Sequence, residues 1–572
     1  MSLSNILKRK PKSVFSLLSK TEKKIIRAWC MYDWANSAFF TSIVSAIMPI
    51  YFVGLYRDSL GSGLVIFNFQ FSATVVWALT GALGTFLVAL SSPVMGVIAD
   101  RSGIKKKLMA IFCISGCLAT IMLFFSSYSS SPWLFSLAFY FLGAIGAAGA
   151  NVFYNSLLPH IAPENLLDDV SSRGYAYGYL GGGVLLLFHL IILIFFDYSD
   201  LAIRSCLASV GIWWFGWALW TLKVVPEPKY KKTRKIGISK SITRAVRQIK
   251  STAGEFRQFK QLLIFLIAFV IFNDAIATCL GIAGAYGLDV LRISPETATL
   301  TILLVQFVAF PGSLFFSYLA KKLDTKKSLA IAVTGWGFIA IMALGFAPLN
   351  LDEHNQYDYQ LSFNQNNYTL DTSPTLSETN KNEIEWYDIN SEFIDKDVID
   401  TENVNIFISN FDTPDCKFSI SVAGGPLNNI NKTCDKHPTF LNQNILDEWP
   451  KFMRKILWKP LSLNQDTQFL IMGIFVGMFM GGAQALGRSL FAYMTPKSRS
   501  GEFFGFFSLS WRSISVLGPL SYAILAGFYS PRVGLSFLGL QIFIGLYILK
   551  FVNVSEGRRV ALEQDKESHI IK

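Results

Sequence analysis

Apolar runs long enough to cross a lipid core of about 30 Å, which takes about 20 residues in a helix, recur along almost the whole of this 572-residue chain. They do not alternate apolar with polar, as the strands of a membrane barrel do over about ten residues. In lipid every backbone N–H and C=O needs an internal partner, so non-alternating runs of this length fold as helices. With 52% hydrophobic and 16% charged residues and a mean hydropathy of +0.40, a soluble globular fold is excluded. The expected class is an all-α polytopic membrane protein.

Twelve spans are expected, at 28–54, 72–99, 108–126, 132–158, 172–196 and 202–222, then 261–287, 297–320, 328–349, 467–494, 502–529 and 532–552. They divide the chain into a basic tail (1–27), a six-helix half (28–222), a basic linker (223–260) with Pro226 and Pro228, a second six-helix half (261–552) and a second tail (553–572). Lys and Arg cluster in both tails, the linker, Arg101–Lys107, Lys321–Lys327 and Lys497–Arg499. Those are the ends and the even-numbered connections, so both termini are expected in the cytosol. The N-terminal tail lacks the apolar core and cleavage site of a secretory signal.

The net charge of +12 is sorted by side and does not mark a nucleic-acid binder. Residues 351–450 alone hold 18 acids against five lysines. They belong to an insertion, 350–466, that the topology puts on the lumenal or extracellular side, where its Asn, Asp, Ser and Thr content reads as exposed and partly disordered. Asn367 and Asn431 head glycosylation sequons there. Cys416 and Cys434 are the two cysteines in polar sequence and the candidate disulfide, whereas the other five lie in or beside apolar runs. No nucleophile, metal-spaced His/Cys set or phosphate loop occurs, so no enzyme, cofactor or metal site is expected.

The polar residues inside the spans are the informative ones, since a carboxylate near the bilayer centre costs about 2.5 to 3.5 kcal/mol on insertion scales and needs a partner or a wet path. Asp33 and Asn36 share one face of the first span, Asn151 and Asn155 one of the fourth, Gln484 and Arg488 one of the tenth, and Asn273-Asp274 lies in the seventh. By depth, Asp33, Asn155 and Arg488 fall toward the cytosol, and Asp33 with Arg488 is the candidate ion pair of a cytosolic gate. Asn273 and Asp274 fall near mid-membrane, as a substrate or proton site. His189 is a weaker candidate for a proton relay. Gly174, Gly178 and Gly182 in the fifth span, and Gly473, Gly477 and Gly481 in the tenth, recur every fourth residue and allow close helix packing.

Where the second span meets its loop stands Gly96-Val-Ile-Ala-Asp100-Arg101-Ser-Gly103-Ile-Lys105-Lys106-Lys107. This resembles the signature loop of the major facilitator superfamily. Gly96 would allow close helix approach, Asp100 could cap a helix, and the lysines would meet anionic headgroups. Ser317 to Lys327 is a degraded copy in the second half, with Lys321 in place of Asp100. The resemblance implies twelve helices in two six-helix halves, with spans one, four, seven and ten around the cavity.

Seven ordered stretches resemble the vacuolar effluxer family related to autophagy-related protein 22. They are Tyr32-Asp33-Trp34-Ala35-Asn36-Ser37-Ala38, Asn155-Ser156-Leu157-Leu158-Pro159, Val170 to Gly183, Gly481 to Ser489 with Asn273-Asp274 before it, Glu502 to Phe506, and Gly518-Pro519. Arg512 stands where a lysine is expected. The resemblance implies a secondary transporter exporting small, neutral amino acids from a vacuole or lysosome-like store after autophagic breakdown. Another solute at another membrane, the plasma membrane included, is the alternative, as is a non-transporting receptor on the same fold. Lipid and an amino-acid substrate are the expected partners, with protons as a candidate coupling ion.

Overall fold

The computed structural model describes residues 18–60, 64–66, 69–71, 73–228, 258–291, 293–351, 353–364, 366–374, 381–396, 398–413, 416–441, 445–514 and 517–567. The basic residues expected at 1–17 and most of the linker lie outside them.

The first half runs α1 (Lys20–Ala46), α2 (Met48–Leu60), β1 (Leu64–Ile66), β2 (Phe69–Phe71), α3 (Ala73–Ser102), α4 (Lys105–Met122), α5 (Pro132–Ile161), α6 (Leu167–Phe195) and α7 (Asp200–Val224). Ser19 and Glu22 start α1 with reciprocal backbone contacts, a capping box that satisfies two N–H groups. The last turns of α1, Phe39–Ala46, are π-helical, and the chain bends by 43° into α2. Pro49 explains the bend, because it has no N–H for the helix ladder and its ring crowds the preceding turn.

The second half runs α8 (Lys260–Ala285), α9 (Pro295–Leu323) and α10 (Thr325–Leu344), and resumes after the insertion with α14 (Gln465–Met494), α15 (Ser500–Ile514), α16 (Leu517–Phe528), α17 (Pro531–Leu549) and α18 (Val554–Glu567). Among the described residues ten helices are long and apolar enough to span a membrane, and the α1–α2 pair makes an eleventh. The expected span at 502–529 is divided between α15 and α16, each shorter than a full crossing. Gly518 and Pro519 stand in the first turn of α16, where a helix needs no donor from proline.

The two halves meet along α3 with α15, α6 with α9, and α6 with α14. One continuous apolar core runs through both. Small residues bring the helices together. Gly178 lies where an added Cβ would stand 2.6 Å from Ser37 Oγ of α1, Gly182 where it would stand 2.8 Å from Thr41 Cγ2, and Gly473 and Gly477 fit against Thr301 and Val305 of α9 in the same way. Gly481 packs on Ala309 and Ser313. Both glycine stripes are therefore packing faces.

The described residues of the insertion form strands and helices around a core of their own. The insertion contains β3 (Tyr359–Asn364), β4 (Asn367–Thr372), α11 (Lys381–Ile394), β5 (Val398–Ile399), α12 (Thr401–Asn410), β6 (Ser419–Ala423), β7 (Asn431–Thr433) and α13 (Glu448–Met453). The sheet order is β5-β4-β3-β6-β7, with β3 and β6 parallel and the other pairs antiparallel. Tyr359, Tyr368, Trp386, Phe407 and Phe418 fill a separate core. Polar composition concealed it because these few aromatics are spread over some sixty residues. Cys416 and Cys434 form a disulfide beside that core. Trp458 and Trp449 donate to the Gly345 and Ile341 carbonyls at 2.7 and 2.9 Å, tying the insertion's end to α10 and the residues after it.

Candidate functional site

A cavity of about 920 Å³ lies between the halves. Its lining comes from α1, α2, α3, α5, α6, α8, α9, α10, α14, α15 and α17, and among the described residues the charged ones in it are two, Asp33 and Arg488. Pro49, Tyr286, Thr301, Phe346 and Phe469 extend it toward the insertion. Asp33 and Arg488 stand at its other end, toward the termini.

Arg488 is nearly enclosed. Its Nη1 donates to Asp33 Oδ2 and Asn155 Oδ1, both at 3.1 Å, its Nε to Ser171 Oγ at 2.9 Å and its Nη2 to the Ser171 carbonyl at 2.7 Å. The rings of Tyr175 and Trp29 lie 4.1 and 4.9 Å from the guanidinium carbon, a cation–π setting that a planar, weakly hydrated guanidinium suits. Tyr154 donates to Asp33 Oδ2 at 2.7 Å and stacks on Trp29 at 4.4 Å. Gly174 makes room for this cluster, because a Cβ there would stand 2.5 Å from Asp33 Oδ2 and 2.8 Å from Arg488 Nη2. A buried ion pair needs this many hydrogen bonds to offset the loss of hydration.

Above the pair, Asn36 Nδ2 donates to Asn151 Oδ1 at 2.8 Å, and Tyr179 donates to Gln484 Oε1 at 2.8 Å. Asn36, Asn151, Asn155 and Gln484 all line the cavity. Asn273 and Asp274 do not, which corrects their expected place at the cavity centre. Asp274 instead accepts from Gly518 N at 2.7 Å and Gln541 Nε2 at 2.9 Å, facing α16 and α17. Residue spacing gives depth along a helix but not which neighbour a lone carboxylate meets. The side chain of Arg512 lies outside the described residues. His189 is buried between Ser42 and Ser209, at 3.1 and 2.8 Å, away from the cavity.

Two further ties close the side of the termini. Asp100 accepts from Gly501 N at 3.0 Å and Glu502 N at 2.8 Å, so the end of α3 caps α15 of the other half, and it pairs with buried Lys105 at 2.7 Å. A cap on the free N–H groups also satisfies the helix dipole. Gly96 permits the approach, as its Cβ would lie 2.8 Å from Glu502 N. Gly103 turns the chain with φ +63°, which a Cβ disfavours. Arg101 is exposed. In the degraded copy the signs are exchanged. Lys321, at the end of α9, pairs with Asp169 in the first turn of α6 at 3.1 Å, while Asp168 accepts from Thr325 at 2.7 Å and Ser489 at 2.5 Å. Outside the spans, Glu227 accepts from Lys106 N at 2.8 Å, and burial pushes its carboxyl above the usual carboxylate range.

Trp29, Tyr154, Ser171 and Tyr175 are functional neighbours that sequence reasoning did not single out as ligands of Arg488. Helical spacing held a clue, since Trp29 precedes Asp33 by four residues and Tyr154 stands beside Asn155.

Two helical halves around a central cavity, tied together at one end by buried ion pairs, define a transporter of the major facilitator type. Solved structures share that fold. The proton:xylose symporter XylE superposes with a TM-score of 0.56 at 12% identity, covering 95% of this chain and 98% of its own. A bacterial homologue of the iron transporter ferroportin in an outward-facing state gives 0.53 at 12% identity, with 93% and 99% covered. The family described as vacuole effluxer Atg22 like matches residues 21–356 and 452–562, leaving out most of the insertion, and this chain belongs to that family. Among relatives, the MFS-type transporter YxiO of Bacillus subtilis is 24% identical over 542 residues, 94% of this chain and 97% of that one. Autophagy-related protein 22-1 of Neosartorya fischeri is 20% identical over 402 residues, 69% of this chain, which spans about half (49%) of that relative's length.

Proposed function

We propose that this transporter carries small neutral amino acids from a vacuole-type lumen to the cytosol by alternating access, as part of autophagic recycling, with both termini cytosolic. The observation that carries the substrate class is the cavity's charge: one carboxylate and one guanidinium, Asp33 and Arg488, in a lining otherwise uncharged among the described residues. A site whose charges sum to zero suits a zwitterion of no net charge and disfavours polyions, because an added net charge would be desolvated without compensation. The lumen-facing extension supports the direction of loading, and the family description supports the compartment.

Proton coupling is the second part of the proposal, with Asp33 and Asp274 as the carriers. Asp274 supports it, since it is a carboxylate within a span whose Oδ1 is buried without a hydrogen-bond partner among the described residues, and an ionisable residue so placed marks a functional site. Asn367 and exposed Asn431 are proposed glycan acceptors on the lumenal insertion. The full-length bacterial relative favours a second reading, the same chemistry at a plasma membrane. Efflux of labelled leucine from proteoliposomes, with and without a pH gradient, tests the whole reading. Absence of leucine flux overturns the substrate class, and uphill flux unchanged in both Asp33→Asn and Asp274→Asn overturns the coupling.

A further inference from the structure

The hydrogen bonds around the Asp33–Arg488 pair are unevenly distributed. Both donors that reach Asp33, Tyr154 and Arg488, converge on Oδ2, so Oδ1 has no partner among the described residues. Three residues along the same helix face, Asn36 uses its Nδ2 on Asn151, and its Oδ1 is buried with no partner. Both residues line the cavity. A buried acceptor without a donor is unfavourable, and Asn36 Oδ1 is one; beside it Asp33, partly exposed at the cavity wall, presents a second acceptor that carries charge, so the two form a place for a donor with several hydrogens and a positive charge. Two further amides of the lining are used in the opposite sense. Asn155 and Gln484 give their oxygens to Arg488 and Tyr179, which leaves their N–H groups for an acceptor.

We infer that Asp33 Oδ1 and Asn36 Oδ1 form a half-site for a primary ammonium, facing a carboxylate half-site made by Asn155 Nδ2 and Gln484 Nε2 beside Arg488. The assignment rests on the amino-acid reading above for its carboxylate end. The ammonium half belongs to the first helical half of the protein, and Arg488 to the second. A bound ammonium competes with Arg488 for Asp33 and loosens the tie that holds the side of the termini closed. Substrate lacking the ammonium leaves that tie intact.

Titration calorimetry of the purified full chain tests this with three probes: L-leucine, its decarboxylated analogue 3-methylbutylamine, and its deaminated analogue 4-methylpentanoate. The amine is expected to bind within about tenfold of leucine and the acid at least about tenfold more weakly than the amine, a step of about 1.4 kcal/mol. Asn36→Leu should weaken the amine about fivefold or more and leave the acid unchanged, a difference that general misfolding would not produce; Asn36→Asp, which keeps an acceptor, should retain amine binding. Leucine and acid binding without the amine would overturn the ammonium half-site and leave the amino-acid reading standing. Amine binding without leucine would keep the half-site and overturn the amino-acid reading. No heat with any probe would overturn both.

Discussion

Each guanidinium nitrogen of Arg488 has an oxygen partner, and aromatic rings cover the group. Lysine would keep the charge but lose the planar fork and the stacking. Since one hydrogen bond to a charged group contributes about 1.5 to 3 kcal/mol, Arg488→Lys is expected to lower leucine flux about tenfold or more in proteoliposomes at equal protein. Flux within twofold of native would contradict the central role given to this residue. Gly174→Ala tests the same cluster by shape, because its methyl group would enter the space of Asp33 Oδ2. It should lower the unfolding midpoint and the flux together, as overpacking in a tight core typically costs about 1 to 3 kcal/mol. At this scale the sequence was informative about which residues are polar at what depth. It was silent on Asp274, whose partners Gly518 and Gln541 come from helices more than 240 residues away.

Helix ends carry the ties that we propose as the gate. The cap that Asp100 places on α15, and its pairing with Lys105, join the halves on the side of the termini. Asp100→Ala removes a cap worth about 1 kcal/mol and leaves Lys105 without its carboxylate, a loss of about 3 to 5 kcal/mol for a buried pair. The closed state should therefore lose population. Cys279 reports this, since it lines the cavity whereas Cys30, Cys113, Cys117 and Cys206 are buried. An impermeant maleimide is expected to label Cys279 from the side of the insertion in the native protein, and from the side of the termini in Asp100→Ala. Equal labelling of both proteins from both sides would rule out the gate. The loop's Gly, Asp and basic pattern was legible in sequence, and so was a capping role. Which helix Asp100 caps was not, because α15 begins 400 residues later.

The whole molecule separates a transport body from an inserted domain with its own core and disulfide. The family match passes over most of that domain, and replacing residues 357–441 with a short flexible linker is expected to leave leucine flux within about twofold, with loops tolerating such changes at little thermodynamic cost. Loss of all flux in a folded, membrane-inserted deletion variant would return the receptor reading to favour. Hydrophobic run length and the spaced motifs by themselves determined that this chain is a helical membrane protein of two halves and the family to which it belongs, since lipid leaves a continuous apolar run one stable fold. Only the tertiary structure decided which polar groups meet. It surrounded Arg488 with Ser171, Tyr175 and Trp29, turned Asp274 out of the cavity and gave the described part of the polar insertion its own core, because such contacts depend on the rotation of each helix about its axis and on partners hundreds of residues apart, neither of which local sequence encodes.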